Sequence, residues 1–172
     1  MAKSKTSPFY VRRAQDIDND NGFHQGEIDL GAYVNVLGKS VLSIKSVQYA
    51  LTDAGGRMPD IAASVAAAYS WQLTTQSQTN IVLISDNSVI AAGGGTAAEA
   101  GAGTISTGFS EFSVGPHHFQ TDDGYMVATE SMFVGGSATT GRTENLFVSL
   151  ILECQVVTMD VQDGVALALS QQ

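Results

Sequence analysis

Carboxylates at Asp16, Asp18 and Asp20, followed by Glu27, stand at the first, third, fifth and twelfth places of a twelve-residue stretch. This is the spacing with which an EF-hand loop gathers oxygen ligands around calcium. The glycine expected at the sixth place comes one residue late, at Gly22, and Asn21 stands in its position. Asparagine tolerates the left-handed conformation needed there, but neither flank has a helical pattern. Two readings stay open, a calcium loop formed by Asp16, Asp18, Asp20 and Glu27, or a solvated acidic turn before a strand. The other dense set of ligand types is His117, His118, Asp122 and Asp123. Neighbouring residues of an extended chain point in opposite directions, so the two histidines do not readily share an ion, and exposed loop residues are the expectation.

Other chemistry is sparse. A glycosidase-like carboxylate pair from Glu111 and Glu130 requires strands to bring them together. The run Gly93 to Gly103 has the glycine content of a phosphate loop, but no Lys-Ser/Thr closes it and no helix pattern follows. It reads as a flexible surface loop. Nucleophile elbows, zinc-protease signatures, Cys-x-x-Cys pairs and dinucleotide fingerprints are absent from the sequence. The lone cysteine, Cys154, falls on an apolar strand face and reads as an inert buried thiol. The expectation is a protein without catalysis, small-molecule substrate or cofactor, the loop calcium excepted.

Charge is unevenly placed. Lys3, Lys5, Arg12 and Arg13 supply four of the eight basic residues within the first thirteen positions, without an acid among them. The remainder sets seventeen acids against four bases, a net of −13. Such a body repels polyanions, so contact with nucleic acid or anionic lipid headgroups would have to run through the basic segment. Residues 1–15 therefore read as a flexible basic arm and residues 16–172 as one domain. No apolar leader is read in Met1 to Arg13 and no run reaches a membrane-spanning length, so synthesis and folding in a cytoplasm are expected.

The elements that must position these groups are strands. With 172 residues, eighteen glycines and 15% charged residues, the chain has the composition of an all-β sandwich large enough to bury a core. The strongest segment is Asn145 to Met159. Leu146, Val148, Leu150, Leu152, Cys154 and Val156 form an apolar row at a period of two. Its other row contains Phe147, Ile151, Val157 and Met159, too apolar for a solvated face, and predicts cover from another chain or from the C-terminal helix. Ser64 to Gln76 alternates in the same way. In Val41 to Leu51 the apolar phase shifts between Ile44 and Val47, which predicts a bulge near Ser46. Strands are expected near 27–33, 41–51, 64–76, 80–85, 88–92, 104–114, 125–134 and 145–158. A short helix capped by Asp160 follows, with Val161, Val165, Ala168 and Leu169 as its apolar stripe.

Eight antiparallel strands with Gly-rich turns make a two-sheet sandwich, most simply a single jelly roll. The basic N-terminal segment, the opening GEIDLGAYV…VLSIKSVQYAL and the closing strand NLFVSLILECQVV together resemble the small single jelly-roll capsid proteins of internal-membrane icosahedral viruses of archaea and thermophilic bacteria, the sphaerolipovirus-like coat proteins. The resemblance implies a virion structural protein that builds capsomers with copies of itself or a paralogue, around an internal membrane, with no catalytic residue. The alternative is a lectin-like or carbohydrate-binding sandwich stabilised by calcium. A small sandwich enzyme is the third reading.

Overall fold

The computed structural model describes residues 3–63, 65–99, 105–108 and 124–171. Among them are ten strands and one helix: β1 (Lys3–Ser4), β2 (Phe9–Asp16), β3 (Phe23–Asp29), β4 (Ser40–Thr52), β5 (Ala66–Thr74), β6 (Val89–Glu99), β7 (Ile105–Gly108), β8 (Tyr125–Val127), β9 (Ser131–Ala138), β10 (Phe147–Thr158) and α1 (Val161–Ser170). They form two antiparallel sheets. In the first, β10 pairs with β4 along one edge and with β2 and β1 along the other, and β8 closes the far side of β4. The second has the order β3-β9-β5-β6-β7. The chain crosses between sheets at β2–β3, β3–β4, β4–β5, β7–β8, β8–β9 and β9–β10, so most neighbours within a sheet, the run β5–β6–β7 excepted, are distant in sequence. Eight strands, β2 to β6 and β8 to β10, give the wrapped order of a jelly roll; β1 and β7 extend its edges.

Alternation explains the core. The even row of β10, from Leu146 to Val156, faces inward and is buried, as predicted. On β5, Tyr69, Trp71 and Leu73 meet it from the other sheet, and the Tyr49 ring of β4 packs on the Trp71 indole at 4.6 Å between centroids. The phase shift in β4 is a bulge. Ser46 pairs with Glu153 and Ile44 with Cys154, which leaves Lys45 as the extra residue and returns Val47, Tyr49 and Leu51 to the core face. Burial, aided by the nearby Glu153 charge, pushes the Cys154 thiol up to about 12, so it is inert packing.

Four expectations are corrected. The expected free arm of residues 1–15 is corrected from residue 3 onward: β1 and β2 pair with β10, and Phe9 and Val11 pack on the core while Tyr10 and Arg12 point outward. The sandwich therefore starts before residue 16. The stretch 80–85 is a loop, and β5 pairs with β6 instead. The stretch 125–134 holds two strands in different sheets, β8 and β9, separated by the turn Ala128 to Glu130. The glycine run is not a loop up to Glu99, because Gly93, Gly94 and Gly95 lie within β6. A Cβ on Gly93 would stand 2.5 Å from Trp71 Nε1, and one on Gly95 2.7 Å from the Tyr69 hydroxyl. Glycine leaves the space that the aromatic rings of β5 occupy.

The helix begins after Asp160 as expected, but that carboxylate makes no cap hydrogen bond and instead pairs with Lys39 at 3.5 Å. Its buried side is also different. Gly164, Leu167 and Ala168 face the protein, while Val165 and Leu169 face out. The covered surface is the outward side of the first sheet, formed by Val41, Val157 and Ala128, with Met126 and Met159 beside them. No described helix is long and apolar enough to cross a membrane.

Candidate functional site

The turn between β2 and β3, at one end of the sandwich, gathers Asp16, Asp18 and Asp20, three of the four predicted calcium ligands. Between β2 and β3, Asp18 and Asn21 adopt left-handed backbone with φ of 55° and 65°. The aspartates cap their own turn. Asp16 Oδ1 accepts the Asp18 amide at 2.8 Å, Asp18 Oδ1 accepts that of Asn19 at 2.8 Å, and Asp20 Oδ1 accepts that of Gly22 at 2.7 Å. This alternation of Asp is a series of side-chain to backbone turns. Asn19 then donates to the carbonyls of Arg142 and Glu144, tying the turn to the β9–β10 loop.

The four predicted calcium ligands do not converge. Asp18 and Asp20 come together with His24, their ligand atoms within 4.8 Å of one another. Asp16 is spent on the Asp18 amide and on Asn145, and Glu27 lies three residues beyond His24 on β3, where it accepts from Ser131 Oγ. Calcium takes six to eight oxygens; two carboxylates and an imidazole are a poor match. The geometric cause is that residue 23 starts a strand where an EF-hand would keep turning. Melting temperature is accordingly expected to stay unchanged on adding millimolar calcium or a chelator, and a clear rise with calcium would contradict this. The His24 hydrogen bond, then the Gly22 amide, hold the Asp20 carboxyl below its ordinary 3.8. A depressed folded pKa stabilises fully above 3.8 and is lost as pH falls through the folded value. The difference in melting temperature between wild type and Asp20→Asn should therefore shrink in acid.

Arg142 staples two loops at this end. It is buried, donates to the Pro59 carbonyl at 3.2 Å and lies over the Tyr69 ring at 5.8 Å, while its Nε has no partner. Desolvation lowers its pKa. A buried guanidinium without a carboxylate partner costs stability that its stem packing has to offset. Arg142→Ala should destabilise by about 2–3 kcal/mol, and Arg142→Met, which keeps the stem, by clearly less. Equal losses in urea unfolding would show that the stem contributes nothing.

The basic residues do not make one surface. Lys5 Nζ bonds the Gly38 carbonyl at 3.3 Å and Ser40 Oγ at 2.7 Å at the opposite end, the Arg12 guanidinium sits 5.5 Å over the Tyr10 ring on the outer sheet face, and Arg13 reaches over Gly26 at the open edge between β2 and β3. Lys3 contributes its backbone to β1. The interface candidates divide as well. Val157 is buried under α1 with Met159 beside it, whereas Phe147 is half-buried and Ile151 exposed on the outer face. Cover by the terminal helix is thus real for half of this face. His117, His118, Asp122, Asp123 and Glu111 lie outside the described residues. Glu130 is exposed in the β8–β9 turn.

Sequence reasoning missed Gln171. Its side chain accepts from the Ala128 amide at 3.1 Å and donates to the Met126 carbonyl at 2.6 Å, while its carbonyl accepts from Thr75 Oγ1 at 2.8 Å and Gln76 Nε2 at 3.0 Å. It joins the end of α1 to both sheets, a role no local pattern announces. A groove of about 370 Å³ beside it is lined by Tyr125, Met126, Leu167, Ser170, Asn87, Gly124 and Gln171, with no acid, histidine or cysteine among them.

No family model and no curated protein matches the sequence. Among solved structures, the chain is similar to an unassembled KI polyomavirus VP1 pentamer, at 9% identity over 91% of this chain and 97% of that one, with a TM-score of 0.48. An unassembled Washington University polyomavirus VP1 pentamer gives 9% identity over 91% and 96% of the two chains, with a TM-score of 0.45. Turnip yellow mosaic virus gives 15% identity over 89% and 82%, with a TM-score of 0.31. At these identities no residue role is transferred.

Proposed function

We propose that the chain is a structural subunit of a virion, a capsid protein that assembles with copies of itself or a paralogue into capsomers of an icosahedral shell. The observation that carries the reading is where the chain leaves its surface uncommitted. The polar groups of the aspartate-rich end are held in turn and loop contacts, whereas large apolar side chains stand exposed on the jelly roll, with Leu37, Leu83 and Leu169 each more than 60% bare. Large apolar side chains left bare on a folded domain are candidates for a surface that another chain covers. A jelly roll also leaves its loops at two ends, where contacts can vary without disturbing the core.

The narrower resemblance to coat proteins of internal-membrane viruses belongs to this proposal and rests on the sequence segments quoted above. Contact with lipid or genome through an arm has less support, since Lys5, Arg12 and Arg13 face three different directions. The carbohydrate-binding alternative has less support, since Asp16 and Glu27 stand apart from Asp18 and Asp20, and the groove beside Gln171 is lined by no carboxylate, histidine or cysteine. Electron microscopy of the purified full chain tests the proposal. Uniform rings, sheets or shells are expected, and a monodisperse monomer under every assembly condition tried would count against it.

A further inference from the structure

We propose that the β2–β3 turn binds a divalent transition ion of the zinc type, held by Asp18, Asp20 and His24. This site differs from the twelve-residue calcium spacing, because it leaves out Asp16 and Glu27 and takes in an imidazole.

Backbone anchoring brings the three ligands together. Ile17 is buried in the core and its amide bonds the Leu146 carbonyl at 2.9 Å, Asn19 bonds the Arg142 and Glu144 carbonyls, and the Asn21 amide bonds the Ala138 carbonyl at 3.0 Å. Every second residue of the turn is thus tied to the body of the sandwich, with Asp18 and Asp20 between the ties. His24 enters from β3, where it pairs with Gly136 of β9. One ligand atom from each of the three residues lies within 4.8 Å of the other two, and His24 Nε2 stands 3.0 Å from Asp20 Oδ1. Two ligands on one zinc, each about 2.0–2.1 Å from the ion, stand roughly 3.4 Å apart in a tetrahedron. One pair is already near that separation, and a rotation of the partly exposed Asp18 side chain closes the rest.

Gly22 gives an independent reason. Its backbone is not left-handed, unlike that of Asp18 and Asn21, so the turn does not need glycine there for its conformation. What glycine leaves is room. A Cβ at this position would stand 2.8 Å from Asp20 Oδ1, 3.0 Å from His24 Nε2 and 3.2 Å from Asp20 Oδ2. The missing methyl is the space in which the carboxylate and the imidazole meet.

Ligand chemistry selects the ion. An imidazole with two carboxylates suits zinc and its neighbours, whereas calcium and magnesium take oxygen ligands. The two carboxylates balance the charge of a dication, and among the described residues no lysine or arginine forms an ion pair with either. The bound ion joins the turn to the start of β3, where the chain crosses between sheets, so it stabilises the native state.

Zinc chloride titrated into the untagged full chain, after chelation and dialysis, tests this by calorimetry and thermal melting. Three partly exposed ligands release the ion readily, so a chelator alone leaves the melting of the dialysed chain unchanged. One zinc per chain is expected, with melting raised by roughly 5–10 °C at a hundredfold excess over the dissociation constant. His24→Ala and Asp18→Asn should each weaken binding by at least about 10-fold, which is what even an outer-shell partner is worth. Asp16→Asn and Glu27→Gln should bind like wild type. Gly22→Ala keeps every donor, and the side chains it meets can swing aside without unfolding the turn, yet its zinc affinity should fall by about 10-fold as well. Each variant's own melting in chelator is its reference, so loss of fold is read apart from loss of the ion. Absence of binding overturns the proposal, and so does undiminished binding by His24→Ala, which would put the ion on His117 and His118. Gly22→Ala binding as tightly as wild type overturns it too. Calcium raising the melting as much as zinc would return the turn to an oxygen-only loop.

Discussion

Gly93→Ala should lose about 2–3 kcal/mol of stability, the cost typical of forcing extra volume into a packed core. Propensity alone gives the opposite sign, since alanine in place of a strand glycine ordinarily gains roughly 0.5–1 kcal/mol. Geometry reverses it. The new methyl would sit 2.5 Å from Trp71 Nε1 and 3.1 Å from Trp71 Cε2, closer than carbon atoms pack. The indole has nowhere to move. Tyr49 packs on it from the opposite sheet, and Gly136, its neighbour on β9, already has Ile17 within 2.8 Å of where a Cβ would be. Trp71→Phe removes the colliding atoms, so the double variant should be more stable than the sum of the two single losses predicts. A double-mutant cycle from urea unfolding measures this coupling. A Gly93→Ala protein as stable as wild type would show that the Trp71 ring does not occupy this space.

Removing residues 161–172 is expected to have an effect at least as large, roughly 3–5 kcal/mol. Val41 and Val157 lie buried under α1, and such side chains contribute about 1.5–3 kcal/mol each when fully covered. The helix does not hold itself. It has ten residues, an internal glycine, no side-chain bond at its N-cap and no base in its last turn, and a helix of this length is marginal in water. Gln171 is its anchor. Gln171→Ala should cost about 1–3 kcal/mol by leaving the Ala128 amide and the Met126 carbonyl without their partner, and should lower helical circular dichroism before the sheets melt. If Gln171→Ala kept full helicity and stability, the packing of Leu167 and Ala168 alone would suffice and the anchor would be incidental.

What the sequence conveyed follows from which interactions are local. Alternation in β10 and the phase shift in β4 are local, and both the strand and the bulge at Lys45 were legible. The strand Phe9 to Asp16 was not, because Arg12 and Arg13 read as charge even though Phe9 and Val11 already alternate inward. The glycines of β6 were misleading for a non-local reason. Their missing side chains record the position of Trp71 and Tyr69 on another strand. The turn Ala128 to Glu130 lacks glycine, proline and asparagine, so the crossing between sheets left no signal. At the aspartate-rich end the ligand spacing was legible, but the pleat that sends Glu27 towards Ser131 instead of Asp18 depends on β3 pairing with β9.

The proposed subunit role requires this jelly roll to contact other copies of itself through apolar surfaces. Sedimentation of the full chain over a wide concentration range tests it most directly. Discrete oligomers should form, and Leu83→Asp/Leu169→Asp should return them to monomer without lowering the melting temperature of the isolated chain. A wild-type protein that remains monomeric throughout, with those leucines bare, would contradict it.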